Sequence, residues 1–339
     1  MRALITDYDF PDIDLEREVF HIGGVDLVEA QCKSENDLIA AAHECDALLL
    51  QYAPVTDRVL AALPRIGLVS RYGAGFDTID TEACRRHGVW VANSPDYGVG
   101  EVATHALAMT LALIRHLALY DRDVRAGKWH YLSPGRIRRA SDMTVGILGL
   151  GRIGKRYAAL ARDCFARVIA CDPYIIDGDF PVFVQRVTQQ QLFEQADVVS
   201  LHVPLNNETR GMVGAALLAQ MKRGSFLVNT ARGGIVDVAA VLAALDDGTL
   251  DGAGLDVLPV EPLAADSALA RHPRALLSPH AAFYSTAAEI ELRRKAALNI
   301  VQWSQTGRPM YPVVEGKKTP GTRAHGIRSM QDNCGVLVR

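Results

Sequence analysis

Apolar and polar positions alternate along the first hundred residues in two rhythms. Short apolar runs, ALIT at 3–6, DLVEA at 26–30, ALLLQ at 47–51, GLVSR at 67–71 and VWVAN at 89–93, are separated by helical spacing over 37–43, over 57–63 and again before 89. Runs so short and so apolar predict strands buried on both faces, and the intervening helices predict a parallel sheet covered on each side. The N-terminal segment therefore reads as a compact α/β domain in its own right. A turn-rich stretch, NSPDYGVG at 93–100, gives way to residues 101–119, which are apolar on almost every face. One long helix is predicted there, buried all round by its own domain or by a partner subunit. Residues 121–142 lose the periodicity and mix aromatics, charges and a Pro-Gly turn, as an arm does.

The middle of the chain carries the sharpest pattern. Residues 145–172 read VGILGLGRIGKRYAALARDCFARVIACD. A strand is predicted over Val145–Leu148, an amphipathic helix over 152–165 and a second strand over 168–171. Gly149, Gly151 and Gly154 stand at G-x-G-x-x-G spacing between the first two. In that setting the glycines predict a dinucleotide-binding turn. Gly149 permits the turn, Gly151 lets a pyrophosphate approach the backbone, and Gly154 lets the helix pack close to its strand. Arg152 and Ile153, at the helix N-terminus that faces the phosphates, are counted with the cofactor contacts. Asp172, eighteen residues after Gly154, is placed to accept hydrogen bonds from the ribose hydroxyls and to repel a 2′-phosphate. NAD is therefore the expected cofactor, ahead of NADP.

Beyond Asp172 the alternation resumes, with strands predicted in DVVSLHVPL (197–205), SFLVNTA (225–231), GAGLDV (252–257) and ALLSPH (275–280), and helices over 215–221 and 238–247. A last long helix over 289–304 is expected to pack back on the N-terminal domain. Open α/β sheets bind ligands beyond the carboxyl ends of their strands, so charges there draw notice. Three occur: Arg232 after FLVNTA, Glu261 after GLDVLPV and His280 after LLSP. A cation, an acid and an imidazole make a plausible hydride-transfer site. Reducing a keto carbon creates an alkoxide that must take a proton, which a histidine beside a carboxylate supplies. Glu261 favours the imidazolium of His280, and Arg232 holds a substrate carboxylate and polarises its carbonyl through paired donors.

Composition narrows the setting. A chain of 339 residues with 49% hydrophobic content suggests two domains with sizeable cores. A net charge of −3 and a pI near 6.4 offer no broad basic field for nucleic acid or a membrane surface. The apolar run 106–114 is too short to span a bilayer, and Arg2, Asp7 and Asp9 replace any signal-peptide core, so a cytoplasmic location is expected. Six cysteines, at 32, 45, 84, 164, 171 and 334, show no metal-ligand spacing, so reduced thiols and no metal are expected. Residues 316–339 carry five Lys or Arg against one Asp and read as a flexible terminus, with a basic contact segment as the lesser alternative.

The segments RYGAGFDTID (71–80), GILGLGRIG (146–154), NTARGGIVD (229–237), GLDVLPVEP (254–262) and SPHAAFYS (278–285), in this order, resemble the D-isomer-specific 2-hydroxyacid dehydrogenase family over residues 45–313. The resemblance implies a Rossmann-type NAD-binding domain, 100–286, inserted into a flavodoxin-like α/β substrate domain of 1–99 plus 287–315, with catalysis in a closing cleft. It implies that Arg232 binds substrate, that Glu261 partners the histidine and that His280 is the acid/base. It puts the backbone of Tyr72, Gly73 and Ala74 on the substrate carboxylate, and Thr230, Ala231 and Asp256 at the nicotinamide. His202, Val203 and Pro204 fall at the cofactor-side turn. A loop-ordering acid and a strand terminator are the alternatives at Asp256 and Pro204. The long helix and the arm match the family's dimer-forming region, so a homodimer is expected.

The run His280-Ala281-Ala282-Phe283-Tyr284 is similar to the C-terminal-binding-protein-like branch of corepressors, which carries Trp where this chain has Phe283. Phe283 is expected to narrow the substrate pocket, with Gln51 and Tyr52 as polar contacts opposite. The expected function is NAD-dependent reduction of a 2-ketoacid or oxidation of a D-2-hydroxyacid. An NADH-sensing corepressor-like protein with vestigial catalysis is the alternative, and a Rossmann hydrolase or formate-type dehydrogenase a third reading. With no regulatory domain following, the long phosphoglycerate dehydrogenases are disfavoured.

Overall fold

The structure, a computed structural model, describes residues 1–320. It divides into two compact units, Met1–Pro95 together with the chain from Ile290, and Asp96–Glu289.

The first unit opens with β1 (Arg2–Ile5), α1 (Asp14–Gly23), β2 (Asp26–Glu29), α2 (Glu35–Ala42), β3 (Ala47–Leu50), α3 (Asp57–Ala62), β4 (Leu68–Arg71), α4 (Thr81–His87) and β5 (Trp90–Ala92). Local sequence sets the helix ends. Ser34, Thr56 and Asp80 accept hydrogen bonds from backbone N–H groups of the first turns of α2, α3 and α4.

The second unit contains α5 (Val99–Ile114), α6 (Leu117–Arg125), β6 (Thr144–Leu148), α7 (Arg152–Ala161), β7 (Arg167–Cys171), β8 (Val184–Arg186), α8 (Gln189–Gln195), β9 (Val198–Leu201), α9 (Ala215–Leu218), β10 (Ser225–Asn229), α10 (Val238–Asp246), β11 (Leu250–Leu255), α11 (Ala268–Arg271) and β12 (Ala275–Leu277). Its seven parallel strands lie in the order β12-β11-β10-β9-β6-β7-β8. Six of them repeat the doubly wound dinucleotide-binding order, with the topological switch between β6 and β9. One face is covered by α5 and α7 around Met109, Leu113, Tyr157 and Ala158, the other by α8, α9 and α10 around Phe193, Leu218 and Val241.

The chain then returns to the first unit through α12 (Thr286–Thr306) and β13 (Pro312–Val314). That unit's sheet has the order β13-β5-β4-β3-β1-β2, in which β1 to β5 are parallel and follow the flavodoxin-like arrangement. The expected all-parallel sheet is corrected at its edge, because β13 pairs antiparallel with β5.

Two further expectations change. The single helix over 101–119 is broken: α5 ends at Ile114, His116 sits in the left-handed region at φ 51°, and α6 departs at 57°. No single helix among the described residues is long and apolar enough to cross a membrane. Residues 317 and 318, assigned to a flexible terminus, are held instead. Their N–H groups donate to the Gly88 carbonyl, and Lys318 Nζ donates to the carbonyls of Pro64 and Ile66. The rest of that expected tail, 321–339 with Cys334, lies outside the described residues.

Candidate active site

The glycine turn after β6 divides its three glycines into two kinds. Gly149 has φ 91°, and a Cβ there would stand 2.8 Å from the His202 backbone, while a Cβ on Gly154 would stand 2.1 Å from the Gly149 carbonyl oxygen. The protein's own packing excludes side chains at both. A Cβ on Gly151 would meet nothing within 4 Å. Gly151 is also the N-cap of α7 and provides no side-chain cap, so the first N–H groups of that helix face an open place of the kind phosphates occupy. Arg152, exposed beside it, pairs with Asp96, and Ile153 is partly buried against the core.

Asp172 at the end of β7 closes this turn. Its Oδ2 accepts from Leu150 N–H at 2.8 Å and its Oδ1 from Tyr174 N–H at 2.9 Å. At the end of β9, His202 N–H donates to the Leu148 carbonyl at 2.7 Å, which seats His202 and Val203 against Gly149. Burial pushes the His202 imidazole down to about 3, so the ring is neutral, 2.9 Å from Ser200 Oγ. Pro204 is exposed, and its carbonyl accepts from Thr209 Oγ1 at 2.6 Å. Thr230, past β10, is buried with an Oγ1 that has no hydrogen-bond partner among the described residues. A buried orphan hydroxyl in a native structure asks for a ligand or water. The open place at Gly151 and this hydroxyl both fit a bound dinucleotide.

Three neighbouring strands, β10, β11 and β12, present the charged residues. Asn229 braces the first turn by accepting from Ala231 N–H at 3.0 Å and donating to the Arg232 carbonyl at 2.9 Å. Arg232 Nη1 donates to the Ala231 carbonyl at 2.8 Å. A Cβ on Gly233 would fall 1.9 Å from the Leu258 carbonyl carbon, so the turn after β10 lies directly on the turn after β11. That contact brings the Arg232 and Glu261 loops together. Glu261 Oε1 accepts from Leu258 N–H at 2.8 Å, and Oε2 lies 2.9 Å from His280 Nδ1. Burial alone would raise the Glu261 carboxyl, but the hydrogen bonds from His280 and Leu258 and the nearby Arg232 hold it below the usual carboxylate range. With Nδ1 turned to Glu261, His280 Nε2 is left as the nitrogen for a reacting group.

Asp256 holds His280 in place. His280 has φ 54°, a left-handed conformation that costs a residue with a Cβ about 1–2 kcal/mol. Its N–H donates to the Asp256 carbonyl at 2.7 Å. The buried Asp256 carboxylate accepts from Ser278 Oγ at 2.5 Å, Ala281 N–H at 2.8 Å and Ala282 N–H at 3.0 Å. Hydrogen bonds to a charged group contribute roughly 1.5–3 kcal/mol each, enough to offset the strain. These bonds order the loop that carries His280. Phe283, half-buried, packs edge-on against Tyr97 at 6.1 Å and Tyr284 at 6.4 Å.

In the first unit, Tyr72 departs from expectation. Its N–H extends the sheet to the Leu50 carbonyl at 2.8 Å, and its side chain, 2% exposed, donates to Glu16 Oε1 at 3.0 Å. Its backbone N–H is therefore committed, which narrows the expected carboxylate-binding turn to Gly73 and Ala74. Gly73 has φ 128°, and a Cβ there would meet Arg71 Nη1 at 2.1 Å, so the guanidinium lies over the turn. Gln51 and Tyr52 are tied to Asp9, with Gln51 Nε2 on Asp9 Oδ1 at 2.6 Å and Tyr52 OH on Oδ2 at 2.9 Å.

Sequence reasoning passed over Arg71, Asn229 and Ser278. Arg71 ends a buried strand, the same signal that singles out Arg232. Asn229 and Ser278 lie inside the quoted motifs but are uncharged, and only the fold reveals what they brace. Among the described residues no group of three His, Cys, Asp or Glu is arranged to hold a metal ion.

Comparison with known proteins identifies the family. The family profile described as D-isomer specific 2-hydroxyacid dehydrogenase, NAD binding domain, matches residues 107–282. The chain belongs to the D-isomer-specific 2-hydroxyacid dehydrogenase family. It is thus an NAD-dependent oxidoreductase of the class acting on the CH–OH group of 2-hydroxyacids. It is 36% identical over 80% of its length to the glyoxylate reductase of Korarchaeum cryptofilum (strain OPF8), 83% of which it covers. It is 33% identical over 83% of its length to the D-3-phosphoglycerate dehydrogenase of Bacillus subtilis (strain 168), of which it spans 53%. The crystal structure of a glyoxylate reductase from Paecilomyes thermophila matches with a TM-score of 0.83 over 92% of this chain and 97% of that one, at 26% identity.

Proposed function

We propose that this dehydrogenase reduces a small 2-ketoacid to the D-2-hydroxyacid with NADH, with His280 as the acid/base. The observation that carries the reading is the 2.9 Å pairing of His280 Nδ1 with Glu261 Oε2, at strand ends of the same sheet that holds the glycine turn. Gly149, Gly151, Gly154, Asp172, Thr230 and Ala231 hold the dinucleotide, which when bound supplies the hydride to C2. The carbonyl oxygen takes a proton from His280 Nε2, and Glu261 keeps the ring oriented and stabilises its charged form. Arg232 polarises the carbonyl with its guanidinium donors. The Gly73–Ala74 turn holds the substrate carboxylate through backbone N–H groups, with Arg71 beside it. Phe283 supplies an apolar wall that favours short substrates. The glyoxylate reductases among the relatives support the smallest 2-ketoacids as substrates.

The test is NADH oxidation against glyoxylate, hydroxypyruvate, pyruvate and branched or aromatic 2-ketoacids. Turnover is expected with the small acids, and its absence across the panel would overturn the reading. His280→Ala is expected to lower kcat by about 10²–10⁴-fold while leaving the NADH Kd within twofold. A mutant as active as the parent removes His280 from the mechanism.

A further inference from the structure

Two buried charges of the first unit, Glu16 and Arg293, meet at one tyrosine. Glu16 on α1 is 0% exposed and Arg293 on α12 is 6% exposed. Arg293 Nε donates to Glu16 Oε1 at 3.0 Å and Nη2 to Oε2 at 2.8 Å, a two-pronged pairing, and Nη2 also reaches the Asp12 carbonyl at 2.7 Å. The same Glu16 Oε1 accepts from Tyr72 OH at 3.0 Å. Phe10 completes the cage, with the Arg293 guanidinium 4.8 Å over its ring and the Tyr72 ring edge-on at 5.2 Å. Burial and the Glu16 carboxylate hold the Tyr72 hydroxyl well above the usual phenol range, so it stays a donor.

A buried ion pair is a poor source of net stability. Desolvating two charges costs several kcal/mol per ion, and replacing a buried ion pair with well-packed apolar side chains is often neutral or stabilising. What the pair does that apolar residues cannot is fix a hydroxyl in direction. That hydroxyl belongs to the residue immediately before Gly73, whose N–H is already clamped to the Leu50 carbonyl. Tyr72 is therefore fixed at both its backbone and its ring tip, and the chain leaves it directly into the left-handed turn at Gly73.

We propose that Glu16 and Arg293 are positioning residues for substrate: acting through Tyr72, they aim the Gly73 and Ala74 N–H groups at the 2-ketoacid carboxylate. The inference rests on the reading, given above, that this turn holds that carboxylate. Small displacements of a positioned group cost one to two orders of magnitude in rate or binding, so an effect on substrate KM is expected without any contact to substrate.

The experiment is steady-state kinetics with thermal unfolding on the full chain. Tyr72→Phe keeps the ring packing and deletes only the hydroxyl. It is expected to raise KM for the 2-ketoacid about tenfold, with kcat and the NADH KM within twofold. Glu16→Met combined with Arg293→Met is expected to keep the thermal midpoint near the parent's and still show the raised KM. If KM returns to the parent value once stability is restored, the network is structural and the proposal falls. Gly73→Ala separates the underlying reading, since its Cβ strains the turn directly. A raised KM in Gly73→Ala with an unchanged KM in Tyr72→Phe overturns the positioning role alone. An unchanged KM in Gly73→Ala overturns the carboxylate reading itself.

Discussion

At the scale of single residues, the three glycines of the turn make separable demands. Gly154 is fixed by the fold, because a methyl group 2.1 Å from the Gly149 carbonyl would prise α7 off its strand. A Cβ on Gly151 would meet no atom within 4 Å, so Gly151→Ala is expected to unfold within about 2 °C of the parent while its NADH Kd rises about tenfold or more. Calorimetric unfolding beside NADH fluorescence titration reads both. A variant that binds NADH normally would remove Gly151 from the pyrophosphate site. Asp172 carries two jobs, since it also accepts from Leu150 and Tyr174. Asp172→Asn deletes the charge and keeps one of the two acceptors of the turn, so it tests the repulsion of a 2′-phosphate while giving up one turn hydrogen bond. The ratio of kcat/KM for NADH over NADPH is expected to fall about tenfold or more in Asp172→Asn. A ratio that stays put would mean that another group discriminates.

At the scale of elements, the apolar runs reported the buried strands β1, β3, β4 and β5, because strands covered on both faces must be apolar throughout. The same expectation fails at β2, which lies at the sheet edge with Asp26 and Glu29 exposed. Elements whose buried face is small or charged escaped. The helix α1 buries Glu16 with Val19 and Phe20, so its apolar stripe is interrupted by the very residue that later pairs with Arg293. The helix α8, QQQLFEQ, buries only Leu192 and Phe193 and is set by its Thr188–Gln191 capping box. The edge strand β13 is three residues long and opens on a proline, which demotes any strand reading. The break at His116 is invisible to periodicity, because its imidazole is held 3.2 Å from Asp251, which is distant in sequence. The site divided less cleanly: Arg232, Glu261 and His280 drew notice as charges at strand ends, whereas the charged Arg71 and the neutral braces Asn229 and Ser278 did not.

One element junction yields a pH prediction. Asp197, buried at the start of β9, accepts from Thr144 N–H at 2.7 Å, Arg138 Nη1 at 2.8 Å and Lys222 Nζ at 3.2 Å. Burial raises its carboxyl, but these three donors together hold it below the ordinary 3.8. A folded-state value below the unfolded one adds stability that is complete above the unfolded value. That stability is lost as pH falls through the folded value. Asp197→Asn is expected to cost about 1–2 kcal/mol at pH 7, discounted because Arg138 and Lys222 are half-exposed. The gap to the parent should close below pH 3.8 in urea unfolding, and a gap independent of pH would mean that packing, not charge, is lost.

At the scale of the whole molecule, the expectation that the helix after residue 100 is buried all round is not met within one chain. α5 buries Ala103, Ala106, Met109 and Leu113, but Thr104 and Ala108 on it are exposed. The stretch that follows exposes Leu117 at 55%, Val124 at 45%, Trp129 at 86% and Tyr131 at 74%. Single exposed apolar residues are ordinary, but a run of large ones on a helix and its adjoining arm marks an interaction surface. We propose a homodimer through α5, α6 and the arm, a two-fold interface being the commonest way for one chain to cover such a surface. Sedimentation equilibrium at micromolar concentration is expected to give twice the 36.8 kDa chain mass. Leu117→Asp with Trp129→Ala is expected to shift it to the monomer, because burying an unpaired carboxylate in the interface costs several kcal/mol. NADH titration of that variant checks that the glycine turn survives the loss of the partner. A parent chain that sediments as a monomer would remove the dimer and leave those apolar side chains to face a different protein.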